Sequence, residues 1–399
     1  MAESLRRIVV VITMISLSHG FQSARLSPNE AKIFSEYCGL SKNERNCPHV
    51  GFLAMHGRFA RNFEASWAVH LHSAYPGLEA DCGGTLITEQ HILTAAHCFF
   101  NEICYNSPTK LKKNNTWLAS WTVYHSGLEA DCGGTLITEQ HILTAAHCFF
   151  NEICYNSPTK MKKNNTWLAS WTVYHSGECI PMSEDECQRN QIKALTSKIR
   201  SVIIPKVFID EKCARGDLAI VELDAKIFPA FLAQPLCLAS KNNKIPLKTQ
   251  LASWGSDASR MKTITTLTKI DLSTIPCPIE STFGDVICVN ESQDQNMCRG
   301  DSGAGMVYSN KGRKHIIGIA SYGTDCRTIQ MALDYRDEFD EWEKLSELAG
   351  GVFTDIRPFN NFICKYTGVC DDEDILSEYI LDDNKTIEDI SDAIILQRN

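Results

Sequence analysis

Residues 296–307 read NMCRGDSGAGMV, and their centre, Gly300-Asp301-Ser302-Gly303, places a serine between two glycines. Glycine permits a sharp backbone turn, so the amides of Gly300 and Ser302 can converge on one developing oxyanion, which is what acyl transfer needs. A serine hydroxyl is a weak nucleophile without a base, and a histidine base needs a carboxylate to fix its tautomer. Two identical Leu-Thr-Ala-Ala-His-Cys runs offer His97 and His147, and Asp217 heads the otherwise apolar RGDLAIVEL. Each feature alone has a plainer explanation: a turn, a solvated loop acid, or a structural histidine beside a cysteine. Their occurrence together, in the order His, Asp, Ser, is what points to a nucleophilic hydrolase.

Such a constellation needs rigid elements to bring distant residues together. From Trp67 onward short apolar runs alternate with turn residues: WAVHLH, GGTLI, HILTA, SVIIPKVF, LAIVEL, VICV, HIIGIASYG and GVFTDI. Many short strands separated by Gly, Asn and Pro predict an all-β antiparallel barrel or sandwich rather than a βαβ fold. A helical period occurs late, over 337–350, where Phe339, Trp342, Leu345 and Leu348 share a face.

The first residues set an expected compartment. Arg6 and Arg7 precede an apolar stretch from Ile8 to Leu17, and Ser18 and Gly20 suit a leader cleavage site, so residues 1–20 read as a signal peptide. Eighteen cysteines and four N-x-S/T sequons, at Asn114, Asn164, Asn290 and Asn384, fit a secreted, extracellular glycoprotein. The leader carries Glu3 against Arg6 and Arg7, so its removal takes the formal net charge from −9 to −10. That balance argues against nucleic acid or an anionic membrane as partner. Residues 21–50 read as a propeptide-like segment, 51–370 as the enzymatic domain, and 371–399 as an acidic tail, either solvated or docked on a partner.

The chain resembles the chymotrypsin/trypsin family of secreted serine endopeptidases. The anchors are Trp67, CGGTLI…LTAAHC, GDLAIVEL, SWG at 253–255, CRGDSGAG, IGIASYG at 317–323 and GVFTDI at 351–356, and they run from about Gly51 to Cys364. The opening LSPNEAKIFSEYCG is similar to a divergent nematode branch of that family. The resemblance implies two packed antiparallel six-stranded β-barrels with a C-terminal helix. It implies zymogen activation and a triad of Ser302, Asp217 and a histidine, acting without metal or cofactor on protein or peptide substrates. An activating protease and inhibitors would be the other partners. Gly300 and Ser302 would supply the oxyanion-hole amides, and Ser321 would support the aspartate. Implied disulfides are Cys82–Cys98 or, in the second copy, Cys132–Cys148, with Cys277–Cys288 and Cys298–Cys326; Cys237 would tie to Cys38 or Cys47.

Three departures qualify that picture. Asn296 matches the floor of the primary specificity pocket, with Gly323 and Gly351 as its walls, so the implied preference is for bulky apolar or uncharged polar side chains. The acidic segment between Cys326 and Gly350 would instead favour basic substrates by attraction. Asp301 matches the acid that pairs with a freed N-terminal amine, yet the matching cut falls near Ala54 in GFLAMHGRFAR, with no Lys or Arg before it. A protease-fold homologue that binds or regulates without cleaving is therefore the alternative reading. Finally, residues 77–126 recur as 127–176 with one change, Leu111 to Met161, which reads as one catalytic half-site written twice rather than a solenoid. Parking fifty residues after the histidine rather than inside a hairpin lowers the chain-closure cost by roughly 0.5 kcal/mol. This favours His97 as the base, with His147 in a looped-out excursion.

Overall fold

The computed structural model describes residues 25–40, 58–59, 65, 67–75, 78–86, 91–94, 132–136, 141–144, 168–169, 171–180, 187, 191–211, 215–227, 235–255, 266–277, 284–290, 296–298, 300–324, 350–370 and 392–398. Both predicted histidines, the expected cut near Ala54, and all of the helical period over 337–350 except Gly350 lie outside these residues.

Strands β1 (Arg58–Phe59), β2 (Ala68–Tyr75), β3 (Leu78–Leu86), β4 (His91–Thr94), β5 (Cys132–Leu136), β6 (His141–Thr144), β7 (Trp171–His175), β8 (Leu195–Ser197), β9 (Ile199–Pro205) and β10 (Ala219–Leu223) lead into β11 (Cys237–Leu238), β12 (Lys248–Ser253), β13 (Thr268–Ile275), β14 (Val286–Val289), β15 (Gly305–Asn310), β16 (Arg313–Tyr322), β17 (Gly351–Asp355) and β18 (Ala393–Gln397). Helices α1 (Pro28–Tyr37), α2 (Lys206–Asp210) and α3 (Asn360–Thr367) complete the described elements.

The second half closes into a six-stranded antiparallel barrel, β12–β15–β16–β17–β14–β13, with β13 returning to β12. Alternation explains its less obvious members. In β13 the apolar Ile270 and Leu272 are buried between the polar Lys269, Asp271 and Ser273, a period of two that a search for continuous apolar runs passes over. The first half closes through a bent strand: only Lys198 separates β8 from β9, so β8 pairs with β7 while β9 pairs with β10, and β7 returns to β2. Val69, Leu71, Trp171, Val173, Val202, Ile220 and Val221 from its strands belong to one buried apolar cluster, each contributing about 2 kcal/mol by leaving water. The same cluster continues through Trp254, Val307, Ile316 and Ile356 of the second barrel, so the two barrels share a core.

The doubled segment meets this barrel at one register. β3 pairs with β2 from Ala68↔Thr85 to Tyr75↔Leu78, whereas β5 pairs with β2 at Ala68↔Thr135 and Val69↔Gly134. β4 pairs with β10 from Ala219↔Thr94 to Glu222↔His91, and β6 only at Ala219↔Thr144. The second copy's strands are thus part of the described sheet. The first copy holds the longer ladders, while β7 comes from the second copy.

Three local features extend the sequence reading. SVIIPKVF is divided: Pro205 ends β9 and Lys206–Asp210 turns helical. α1 begins with a capping box, in which Ser27 and Glu30 exchange hydrogen bonds and Pro28 takes the first turn. The residues SPNE at 27–30 carry this signature. Cys38, just past α1, is bonded to Cys237, a 199-residue loop worth about 5 kcal/mol in the chain-entropy account. Arg313 donates to the carbonyls of Ser35 (2.6 Å) and Glu36 (2.8 Å), closing the end of that helix.

The end of the acidic tail is part of the sheet. β18 lies antiparallel on β9, from Ala393↔Pro205 to Gln397↔Ser201, and buries Leu396. Asp392 accepts from Lys365 Nζ (2.9 Å) and from the Tyr366 hydroxyl (2.8 Å). Ending the chain at Cys370 should bare the outer edge of β9 and lower the melting temperature by about 2–4 °C, as measured by circular dichroism; an unchanged melting curve would refute the strand's contribution.

Candidate active site

Asp217 precedes β10 at the seam between the barrels and is 8% exposed. Its Oδ2 accepts the Ser321 hydroxyl at 2.6 Å, and its own carbonyl accepts from Thr354 Oγ1 at 3.1 Å. The acid is therefore gripped from β16 and β17 of the opposite barrel. The preceding loop is gripped as well: Asp285 Oδ2 accepts the Gly216 amide at 2.9 Å and lies 3.7 Å from Arg215 Nε. Burial holds the Asp285 carboxyl above its ordinary range, against the pull of Gly216 and Arg215. No spacing in the sequence singled out Asp285, since its partner stands 69 residues away.

Ser302 sits in a tight turn fastened to the same strand that holds Asp217. The Gly303 amide donates to the Ala320 carbonyl (2.8 Å), the Ala320 amide donates back to the Ala304 carbonyl (2.9 Å), and Ser321 is the next residue. Gly300 (φ +94°) and Gly303 (φ +82°) flank the serine in backbone conformations that side chains rarely adopt. The turn that carries Ser302 and the carboxylate of Asp217 are thus hydrogen-bonded to consecutive residues of β16, Ala320 and Ser321. The seam itself depends on glycine and a small hydroxyl: the Gly305 amide donates to Thr85 Oγ1 of β3 at 2.7 Å, and a Cβ on Gly305 would fall 2.3 Å from that oxygen.

The remaining predicted residues differ in burial. Asn296 is buried, as is Gly351, where a Cβ would fall 2.6 Å from Met297 Cε. Gly323 is partly exposed, and Tyr322 between it and Ser321 is 54% exposed. Sequence reasoning missed Tyr322, whose exposed ring offers an apolar face beside the acid's support. Cys277 is bonded to Cys288, and Cys298 is also disulfide-bonded, its expected partner Cys326 lying outside the described residues. The side chains of Cys82, Cys98, Cys132 and Cys148 lie outside them too. Two further bridges, Cys179–Cys187 and Cys364–Cys370, staple short loops that the sequence left unpaired.

Asp301, beside the serine, is buried and turned inward. Its Oδ1 accepts the Ser253 hydroxyl and the Gly255 amide (3.0 Å), and its Oδ2 accepts the Cys298 amide (2.7 Å). Gly255 is required there, because a Cβ would fall 2.1 Å from Asp301 Oδ1.

The trypsin family model matches residues 55–116 and 105–335, well over half of the chain. The chain belongs to the trypsin family. The two matches divide at the doubling, the first containing His97 and the second containing His147, Asp217 and Ser302. "Trypsin-like protease try-5" of Caenorhabditis elegans is 28% identical over 324 residues, covering 76% of this chain and 83% of that protein. Two barrels around a polar seam are what membership entails, and the buried carboxyls of this trypsin-family chain carry a pH signature. Burial pushes Asp301 up to about 6 from 3.8, its three donors opposing that rise. A carboxyl raised in the folded state contributes stability that is present below 3.8 and lost as pH rises through about 6, roughly 3 kcal/mol in all. The stability of the parent relative to Asp301→Asn should therefore fall between about pH 4 and 6 and level off above about 7; urea unfolding across that range would check it, and a constant offset would contradict it.

Proposed function

We propose that this chain is a secreted serine endopeptidase that cleaves protein substrates through an acyl-enzyme. The observation that carries the reading is the continuous linkage from Asp217 through Ser321 and Ala320 to the Ser302 turn. Ser302 Oγ attacks the scissile carbonyl while the histidine takes its proton. Asp217 orients that imidazole and stabilises its charged form, and the Gly300 and Ser302 amides receive the oxyanion. The histidine then protonates the leaving amine, and water repeats the sequence to release the acid.

His97 is the favoured base. The longer ladders of β3 and β4 hold the first copy against β2 and β10, and Thr85 of that copy bonds Gly305 close to Ser302. β4 ends at Thr94, three residues before His97. In this reading the extra fifty residues follow His97, meet the sheet at β5 and β6 and continue to β7, and His147 belongs to that inserted copy. The implied bridges Cys82–Cys98, Cys132–Cys148 and Cys298–Cys326 belong to this reading, as do the signal peptide 1–20, the propeptide-like segment 21–50 and the domain 51–370. Asn296 at the pocket floor, with Gly323 and Gly351 at its walls, selects bulky apolar or uncharged polar side chains. An activating protease and protein inhibitors are the further partners this reading implies.

The second reading, a homologue that binds without cleaving, draws on the absence of Lys or Arg before the expected new terminus near Ala54. A fluorophosphonate probe separates the two: labelling of Ser302, abolished in Ser302→Ala, supports the enzyme, and no labelling before or after proteolytic treatment supports the binding module. His97→Ala should abolish labelling and His147→Ala should leave it nearly unchanged, whereas loss on changing His147 alone would reverse the assignment. Peptides with Phe at the cleaved position should be cut faster than their Arg counterparts; a clear Arg preference would remove the pocket assignment.

A further inference from the structure

Asp217 stands at the centre of a tight turn. The Leu218 amide donates to the Gly216 carbonyl at 2.7 Å, and Gly216 is held at φ +66°. Only glycine suits that position, because an added Cβ would fall 2.8 Å from Val207 Cγ1 and 3.3 Å from Phe359 Cζ. Glycine enters such a conformation readily and leaves it as readily, so the turn needs an anchor outside itself. The Asp285 carboxylate is that anchor, its Oδ2 accepting the Gly216 amide at 2.9 Å. We infer that Asp285 is a positioning residue for the proposed reaction: acting through the Gly216 amide, it fixes the direction in which Asp217 presents its carboxylate to the base. This rests on the endopeptidase reading of Ser302 and Asp217.

The anchor is itself rigidly placed. Gly284 (φ +75°) turns the chain into β14, and Asp285 stands immediately before that strand, 1% exposed. Its carbonyl accepts the Asp355 amide at 2.9 Å, which ties it to β17 as well. The Asp355 side chain is met by Arg357, with Nε 2.9 Å from Oδ1 and Nη2 2.6 Å from Oδ2. Taking a carboxylate out of water is costly unless donors and countercharge meet it, and Arg215 Nε lies 3.7 Å from Asp285 Oδ2. A hydrogen bond to a charged acceptor is shorter and stiffer than a neutral one, which suits a part that must not move. The main chain of Asp217 is then held on both sides from neighbouring strands. Asp285 takes the amide before it, and Thr354 Oγ1 takes its carbonyl at 3.1 Å, with Thr354 paired to Val286. Ser321 holds the carboxylate separately, so losing the Gly216 anchor would let the main chain shift while that bond remains. A shift of about 1 Å in a group that serves the chemistry is enough to cost about a hundredfold in rate.

The test takes the chain from residue 21 onward, in whichever of its cut or uncut forms labels, and reacts it with a fluorophosphonate over a range of concentrations. That separates the labelling rate at saturation from the half-saturating concentration. Asp285→Ala should lower the rate at saturation by at least about tenfold and move the half-saturating concentration by less than about twofold. The fraction of molecules labelled at completion and the circular dichroism should stay those of the parent. Asp285→Asn, which keeps an acceptor oxygen for the Gly216 amide, should recover most of the rate. In an Asp217→Ala background no carboxylate is left to aim, so adding Asp285→Ala should cost less than about twofold. If Asp285→Ala fails to fold, Asp285→Ser, whose hydroxyl is one bond too short to reach that amide, takes its place with the same expectations. An unchanged rate at saturation, an Asp285→Asn protein as slow as Asp285→Ala, or the full loss repeated in the Asp217→Ala background overturns this inference and leaves the endopeptidase standing. No labelling of cut or uncut parent removes the endopeptidase reading itself, and this inference with it.

Discussion

The hydrogen bond from Ser321 to Asp217 joins the end of a strand in one barrel to the head of a strand in the other. A buried carboxylate is expensive unless donors meet it, so this contact ties the solvation of the acid to the docking of two separately closed sheets. The pairing of β16 with β17, the glycine-lined seam at Gly305 and the loop held by Asp285 all contribute to keeping that donor in place. Burial of a shared apolar core supplies the driving force for docking. The polar contacts at the seam determine the one orientation in which it is tolerated.

The two buried acids next to the reacting groups differ in what surrounds them. Asp217 accepts the Ser321 hydroxyl, a donor that comes from the opposite barrel. Asp301 is met on both oxygens by neutral donors within its own barrel. The first arrangement suits an acid that must respond to a neighbour's charge, and the second suits one that must stay still.

Strands announced by continuous apolar runs, such as LAIVEL and HIIGIASYG, were legible because burial on both faces needs no alternation. β13 was not, since half its residues are polar, and β18 was hidden among acids that only its antiparallel partner makes sense of. Asp217, Ser302 and Ser321 were legible through local motifs that bind chemistry to a fixed turn. Asp285, Tyr322 and Ser253 were not, because their roles come from residues far away in the chain. The doubled segment marks the limit most clearly: identical sequence carries no local signal for choosing between copies, and the choice falls to ladder length on β2 and β10.

The last strand has a topological consequence. The stretch 371–391 leaves from Cys370, which is bonded to Cys364 in α3, and the chain is caught again at Asp392 by Lys365 and Tyr366 of the same helix. A single cut inside that stretch would leave β18 attached by its ladder and a few polar contacts, with no covalent bridge among the described residues. The folded chain would then have become a complex of a large body and a seven-residue-core peptide, and retention of that peptide would follow mass action. Diluted, the body would lose its edge strand and expose the β9 ladder, which any extended chain of suitable pattern could occupy.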